Sequence, residues 1–135
     1  FSVISHTLET KDSAGAFSLS IDTSSWWLKF IAFITTLRSR LTKIPYGDQA
    51  IFIHKDYFLA LGGYKNIPLM EDIELMKAIK KNNGKISILP DYAITSSRRW
   101  DKHGHVKTTV INRIIRILYS FGINPHILEK KYYKN

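Results

Sequence analysis

A chain of 135 residues with 44% hydrophobic and 13% aromatic side chains is long and apolar enough to build a domain around a core, which excludes disorder as the default. It contains no cysteine, which excludes disulfides, a thiolate metal site and a cysteine nucleophile. The formal net charge of +9 indicates a polyanionic partner: nucleic acid, a nucleotide diphosphate or an anionic lipid surface.

The N-terminal segment has neither an initiator methionine nor the basic-then-apolar pattern of a signal peptide. We therefore expect the chain to be a piece of a longer protein, and we expect that protein to be cytoplasmic. Residues 1–13 are polar and weakly patterned. Residues 14–21 alternate between apolar and polar side chains with a period of two, which predicts a β-strand.

Helical and strand patterns alternate along the rest of the chain. Apolar residues recur at helical spacing over 26–41, a stretch too short for a membrane span, which needs about 20 apolar residues. The other patterns predict, in chain order, a turn at 44–48, a buried strand at 49–54, a helix at 55–61, a loop at 64–69, a helix at 70–81, strands at 85–89 and 92–95 with Pro90 between them, a loop at 96–105 and helices at 107–121 and from 124 onward. This alternation predicts a single α/β domain over residues 1–135.

Three polar segments stand out from the apolar framework. They are Gly47-Asp48-Gln49, the acidic cluster Glu71-Asp72 with Glu74, and Arg98-Arg99-Trp100 with His103. Each adjoins a predicted strand or opens a predicted helix, and ligands of open α/β sheets bind where strands end and helices begin. Taken singly, each also has an ordinary structural explanation: a turn, a helix whose first-turn carboxylates favour the macrodipole, and a solvated basic surface.

Four motifs in a fixed order resemble the second half of a family-2 glycosyltransferase of the GT-A fold. The resemblance covers about residues 14–132 and rests on the segments Tyr46-Gly47-Asp48-Gln49-Ala50-Ile51-Phe52-Ile53, Phe58-x-x-Leu61-Gly62-Gly63-Tyr64, Ile67-Pro68-Leu69-Met70-Glu71-Asp72-Ile73-Glu74-Leu75 and Ser96-Ser97-Arg98-Arg99-Trp100. It implies a partial GT-A, Rossmann-like domain, with a mixed sheet, flanking helices and a C-terminal amphipathic helix. The chain is then expected to be the C-terminal, acceptor-binding half of the catalytic domain.

The resemblance also implies roles for individual residues. In that family the aspartate of the Glu-Asp pair is the general base that accepts the proton of the acceptor hydroxyl, and this role carries over to Asp72. The Arg-Trp of a Gln-x-x-Arg-Trp motif, which lines the acceptor and diphosphate side in polymerising relatives, matches Arg99 and Trp100. Ser96 stands where that motif has Gln, which argues against a processive polysaccharide synthase. The other polar residues expected to contact substrate are Gly47, Asp48, Gln49, Glu71 and Arg98.

The chemistry of inverting glycosyl transfer agrees with these residue types. A carboxylate that takes the acceptor proton contributes ~10²–10⁴ in rate. The departing nucleotide diphosphate needs positive charge, from a metal ion or from arginine and lysine in a preorganised site. We expect Arg98 and Arg99 to supply part of that charge.

The resemblance further implies a cofactor and partners. The family holds its nucleotide-sugar donor and Mg²⁺ or Mn²⁺ in an N-terminal half with an Asp-x-Asp motif, and this chain contains no such motif. We therefore expect either a fragment or a split protein that needs a partner chain, with the divalent cation held mainly by the other half. His103, as a neutral imidazole, is a candidate additional metal ligand.

The predicted helix at 107–121 carries apolar residues over more of its surface than packing on one sheet requires, beside a basic side with Arg113 and Arg116. This pattern predicts a second partner for one of its faces. Three candidates stay open: the inner face of a membrane, to which the protein would be peripheral, another subunit of a homo-oligomer, or the missing half of the domain.

A second class of function is a basic binding module for nucleic acid or anionic membrane, without catalytic activity. Aromatic residues interleaved with lysine near the C-terminus permit base stacking. However, the chain has no recognised nucleic-acid motif, and an acidic cluster in the middle of a phosphate-binding surface is repulsive. We therefore expect no nucleic-acid partner.

Overall fold

The computed structural model describes residues 2–9 and 13–133 of the chain. Its helices and strands are, in chain order, α1 (Ser2–Glu9), β1 (Ala14–Asp22), α2 (Trp26–Thr42), a 3₁₀ turn (Gly47–Gln49), β2 (Phe52–Ile53), α3 (Lys55–Ala60), α4 (Glu71–Lys81), β3 (Ile86–Ser96), α5 (Arg98–His103), α6 (His105–Ser120) and α7 (Pro125–Tyr133). The predicted α/β class is confirmed, as are β1, α2, α3, α4, α6 and α7 to within a few residues at their ends.

Strand β1 is the centre of a three-stranded mixed sheet with the order β2-β1-β3. It pairs antiparallel with β2, where Gly15 lies opposite Phe52, and parallel with β3 from Ala14 to Asp22. The Phe52 ring occupies the space that a Cβ at position 15 would need, so only glycine allows this close approach. The short β2 therefore closes one side of the sheet tightly against the central strand.

The expectation that Pro90 separates two strands is wrong. Residues 86–96 form one strand, in which Phe17 pairs with Leu89 and Ser18 pairs with Tyr92, so that the chain passes Pro90 in a bulge. Proline has no N–H to donate, and it is tolerated where the ladder is interrupted and on a strand at the edge of a sheet. Among the described strands, β3 has only β1 as a neighbour and so meets both conditions.

The sheet carries one hydrophobic cluster on each face, because successive side chains of β1 point in opposite directions. On one face Ala14 packs with α4 in a cluster completed by Leu75, Met76, Ile79 and Ile86. On the other face Leu19 and Ile21 pack against Leu28 and Ala32 of α2. The two helices thus enclose the central strand, which explains why six of its nine residues are buried.

Three segments differ from the sequence expectation. The strand predicted at 49–54 shrinks to Phe52–Ile53, because the 3₁₀ turn includes Gln49. The loop predicted at 96–105 is largely the helix α5. The carboxylate of Asp101 in this helix accepts a hydrogen bond from the Ser97 hydroxyl and contacts Nε2 of His105 in the next helix. Of the weakly patterned N-terminal residues, 2–9 form a helix, and 1 and 10–12 lie outside the described residues.

Within residues 2–9 and 13–133, every helix is too short or too polar to traverse a bilayer.

Candidate functional site

The predicted base Asp72 lies at the start of α4, facing the 3₁₀ turn. The backbone N–H of Gly47 donates a hydrogen bond to Asp72 Oδ2 at 2.7 Å, and the N–H of Ile73 donates to Oδ1 at 2.8 Å. Since a carboxylate offers two acceptor positions on each oxygen, both oxygens of Asp72 keep one free. The motif around Gly47 and the Glu-Asp pair, 25 residues apart, are therefore brought together at one point.

The backbone before Asp72 is unusual. Met70 has a φ of 69° in the left-handed region, which non-glycine residues adopt rarely and at a cost of roughly 1–3 kcal/mol. Its carbonyl still accepts the first bond of the helix, from the N–H of Glu74. This sharp entry turns the chain so that the first turn of α4, with Glu71 and Asp72, faces the cleft while Ile73 packs inward.

Gln49 has a different place from the one predicted for it. Its side chain is fully buried, and its Nε2 donates to the Phe17 carbonyl at 3.0 Å and to Ser39 Oγ at 2.9 Å. Its Oε1 accepts from the Tyr46 N–H at 3.2 Å. Because the amide is committed to protein partners, Gln49 fixes the 3₁₀ turn to β1 and α2 and supports Gly47 instead of contacting a substrate.

Asp72 opens onto a small cavity of about 180 Å³, and a larger cavity of about 360 Å³ adjoins it. The two share four lining residues, namely Tyr46, Asn112, Arg116 and Tyr132. Arg99 and Trp100 line the larger cavity, and Glu71 lines the smaller one. The predicted base and the predicted Arg-Trp pair therefore occupy neighbouring parts of one cleft.

The larger cavity is dominated by guanidinium groups. Arg38 and Arg116 both lie over the ring of Tyr46, with their central carbons 3.6 and 3.8 Å from its centroid, and Arg99 lies 3.8 Å over Tyr132. Arg113 is a fourth cation in the lining. These stacking contacts orient the guanidinium planes while leaving their edges free for an oxyanion.

Burial strengthens the electrostatics of this cavity. It lowers the pKa of Arg38, an effect that nearby Tyr46 and Asp48 partly oppose. Asp48 is exposed as a whole residue, but the protein packed around its carboxyl desolvates that group and raises its pKa. The positive charge of Arg116 lowers the same pKa and partly opposes this effect. Asp48 therefore lies among the arginines, as the one carboxylate in the lining of this cavity.

Trp100 is only in part the loop residue that was expected. It lies on α5 and packs against the cluster of Leu19, Ile21, Leu28 and Ala32 as well as lining the cavity. Its Nε1 is buried without a hydrogen-bond partner. The ring of Trp100 therefore contributes to both the hydrophobic core and the cavity wall.

Arg98 and His103 line a third cavity of about 460 Å³ together with Lys102, and this cavity adjoins the arginine-lined one, with which it shares Arg99, Asn112 and Tyr132. Among the described residues no group of three or more histidine, cysteine, aspartate or glutamate side chains could hold a metal ion. The surroundings of His103 are cationic, which favours an anion over a metal. Its role as a metal ligand stays a prediction without support from its neighbours.

Several cleft residues were not predicted from the sequence, above all Arg38, Asn112 and Tyr132. Arg116 was recognised only as part of the basic side of a helix, and Tyr46 only as a motif letter. No pattern in the sequence signals these residues, because α2, α6 and α7 bring them together from distant parts of the chain.

Comparison with protein-family models, with curated proteins and with solved structures gives no match for this chain.

Proposed function

We propose that this chain is the acceptor-binding, catalytic half of an inverting glycosyltransferase with a partial GT-A fold. In this proposal Asp72 is the general base, and the arginines of the neighbouring cavity stabilise the leaving nucleoside diphosphate. The observation that carries the proposal is the junction of Gly47 with Asp72 beside that cavity. Residues from three of the four sequence motifs line this junction and the adjoining cavity, whereas a carboxylate that only favours the macrodipole of its own helix would need no such neighbours.

The proposed reaction uses a free acceptor position on Asp72. The carboxylate takes the proton of an acceptor hydroxyl as its oxygen attacks the anomeric carbon of the sugar. The bond from that carbon to the diphosphate oxygen breaks, and its electron pair leaves with the diphosphate. Attack from the opposite side inverts the anomeric configuration, and the guanidinium groups offset the charge that develops on the leaving group.

Arg99 and Arg116 are the best placed to meet the diphosphate. Arg99 lines both larger cavities, and Arg116 lines both the Asp72 cavity and its neighbour. Because their planes are held on Tyr132 and Tyr46, they are preorganised before substrate arrives. Preorganised charges stabilise a transition state more than mobile surface lysines do.

The described residues do not fit a divalent cation, since they contain no suitable cluster of ligands. The proposal therefore assigns Mg²⁺ or Mn²⁺ and the nucleotide-sugar donor mainly to a donor-binding half. The Asp-x-Asp motif of that half is absent from this sequence. That half is a required partner, either as part of a longer chain or as a second protein. No catalytic step is assigned here to the metal ion.

A transfer assay tests the proposal. The chain is combined with its donor-binding half, Mg²⁺ or Mn²⁺ and a panel of nucleoside diphosphate sugars, and released nucleoside diphosphate is measured together with the anomeric configuration of the product by NMR. Release of the diphosphate with an inverted product is expected. A product of retained configuration, or no release with any donor, contradicts the proposal.

A second candidate, contact with an anionic membrane surface, is favoured by the outer side of α6. Five apolar residues at helical spacing are exposed along it: Val106, Val110, Ile114, Ile117 and Phe121. Lysine and arginine side chains flank this stripe, as in helices that lie in a membrane interface. This contact is compatible with catalysis, or with a binding module that has no activity.

A further inference from the structure

We propose that the arginine-lined cavity of about 360 Å³ binds an amphipathic anion, with a phosphate or carboxylate head on its arginines and an apolar body along its apolar lining. The identification of this ligand as the sugar acceptor rests on the proposed function. In the complete enzyme the acceptor head then lies on Arg38 and Arg113, while Arg99 and Arg116 meet the diphosphate. The binding itself does not rest on the proposed function, because it follows from the lining of the cavity. Two independent features of the lining support this binding: an excess of positive charge, and a group of apolar side chains.

The positive charge of the cavity exceeds its internal negative charge. Four guanidinium groups and a single carboxylate, Asp48, line the cavity. Ion pairs among the described residues involve Lys65, Lys77 and His105, so the four arginines have no carboxylate at contact distance. Moreover, Nη2 of Arg38 is buried without any hydrogen-bond partner. A buried, unpaired cationic donor is costly, and an oxyanion would remove that cost.

Another part of the cavity lining is apolar. It is formed by Leu19 and Ile21 of the sheet, Ile31 and Ile34 of α2, and the ring of Trp100. Three of these residues, Leu19, Ile21 and Trp100, belong to or pack on a hydrophobic core cluster, so this wall is rigid and offers few hydrogen bonds. An apolar substituent gains free energy by covering it, whereas a purely polar ligand leaves it wet.

The two parts of the lining are ordered with respect to Asp72. The lining that this cavity shares with the Asp72 cavity is polar and includes Tyr46, Asn112 and Arg116. The head of an amphipathic ligand would therefore lie toward Asp72, and its body would extend away from it. In this orientation a hydroxyl near the head lies within reach of Asp72, and the apolar body lies away from the reacting atoms.

Calorimetric titration of the 135-residue chain tests the proposal. The probes are decyl phosphate and decanoate, both below their critical micelle concentrations, compared with inorganic phosphate, decanol and uridine diphosphate. One-to-one binding of at least one of the two amphipathic anions is expected, and the tighter of the two identifies the head group. Each methylene removed from the tail should weaken binding about fourfold, and head or tail alone should bind at least tenfold more weakly.

Matched arginine variants locate the site. Arg38→Gln and Arg116→Gln should each weaken binding at least tenfold, because each removes one cation that faces the cavity. Arg40→Gln is the control: it lies two residues from Arg38 on α2, loses the same charge, and lines a different cavity. Arg113→Gln provides a further test if either cavity variant fails to fold by circular dichroism.

Several outcomes would overturn the proposal. Uridine diphosphate or phosphate binding as tightly as decyl phosphate, without dependence on tail length, would show a site for polar anions only. Equal binding of decanol would show that the arginines are not used. Binding that survives all of the cavity arginine variants would place the ligand elsewhere on the surface.

The outcome is separable from that of the proposed function. If amphipathic anions bind as described but no sugar transfer occurs, the cavity assignment stands and the glycosyltransferase proposal fails. If transfer occurs while amphipathic anions do not bind, the enzyme proposal stands and the acceptor class is wrong.

Discussion

The backbone N–H of Gly47 donates to Asp72 Oδ2 across 2.7 Å, and so joins two motifs that are 25 residues apart in the sequence. The bond fixes one oxygen of the proposed base while its other acceptor positions stay free. A hydrogen bond to a charged group contributes about 1.5–3 kcal/mol. The orientation of Asp72 is therefore set by the turn at Gly47 as much as by its own helix.

Replacing Gly47 with proline should misplace Asp72. Proline removes the N–H and places its ring Cδ where that hydrogen pointed, against Asp72 Oδ2, so the carboxylate loses its donor and must also move. The backbone conformation of proline suits both the first position of a helical turn and the extended backbone of Tyr46 before it. Turnover should fall at least tenfold in Gly47→Pro, measured as kcat in the transfer assay. Gly47→Ala is the control, because it keeps the N–H and its Cβ would meet Asp72 Oδ2 at an ordinary 3.6 Å. Equal kcat in the two variants would show that the hydrogen bond does not position the base.

Trp100 should be sensitive to truncation in two ways. Trp100→Ala removes a ring that packs on the core and should cost about 3 kcal/mol of unfolding free energy, measured by urea denaturation. Trp100→Phe keeps most of the ring and loses no hydrogen bond, because Nε1 has no partner. The acceptor KM is therefore best measured in Trp100→Phe, where a rise with unchanged kcat is expected. An unchanged KM would restrict Trp100 to the core.

Glu74 should make stability depend on acidity. Its carboxylate accepts hydrogen bonds from Lys65, Tyr119 and Lys77, which lower its pKa to about 2. Because the folded-state pKa is depressed, the stabilisation is complete above the ordinary value near 4.5 and is lost as pH falls toward 2. We expect this group to contribute roughly 1–2 kcal/mol, after a reduction for the solvent exposure of both lysines.

Urea denaturation between pH 2 and pH 6 measures that contribution. Glu74→Gln should lose this part of the pH dependence, whereas Glu71→Gln, an exposed neighbour on the same helix, should keep it. Tyr119→Phe should retain a weaker dependence, because the lysines remain. The same pH profile in wild type and Glu74→Gln would show that Glu74 does not link α4 to α6.

The exposed stripe of α6 should bind anionic vesicles at low salt. Apolar burial and attraction to anionic lipid act together there, and salt screens the second component. Co-sedimentation should decrease as salt rises and should be lost in Val110→Asp. The control Lys81→Asp, on a different helix, should lose only a small part of the co-sedimentation of wild type. No pelleting at low salt would assign the stripe to a protein partner.

The sequence predicted the framework well and the cleft only in part. Period-two and helical patterns locate β1, α2 and α4, because burial on a sheet or helix face leaves a local imprint. The prediction of two strands around Pro90 is wrong because a strand tolerates proline at a bulge on the edge of a sheet, and this bulge arises only from the pairing with β1. Gln49 was read as a ligand contact because nothing in the sequence shows that its amide is buried between β1 and α2.

The arginine-lined cavity shows the same limit more strongly. Arg38, Arg99 and Arg116 are separated by long stretches of chain and meet only through the packing of α2, α5 and α6. Their stacking on Tyr46 and Tyr132 is a tertiary contact without a sequence signature. The motifs therefore indicated where the base lies, while the charge that would serve the leaving group or an acceptor emerged only from the fold.

The central claim is that Asp72 is the general base. The most direct test compares kcat of wild type and Asp72→Asn in the sugar-transfer assay with the donor-binding half present, and uses Asp56→Asn, an exposed first-turn aspartate of α3, as the matched control. Asparagine keeps an oxygen for one of the two backbone donors, and losing the other bond to a charged group should cost about 1.5–3 kcal/mol of stability, so folding of the variant is checked by circular dichroism. A loss of kcat by ~10²–10⁴ with unchanged donor binding and normal activity of the control is predicted. Unchanged kcat in Asp72→Asn would contradict the account.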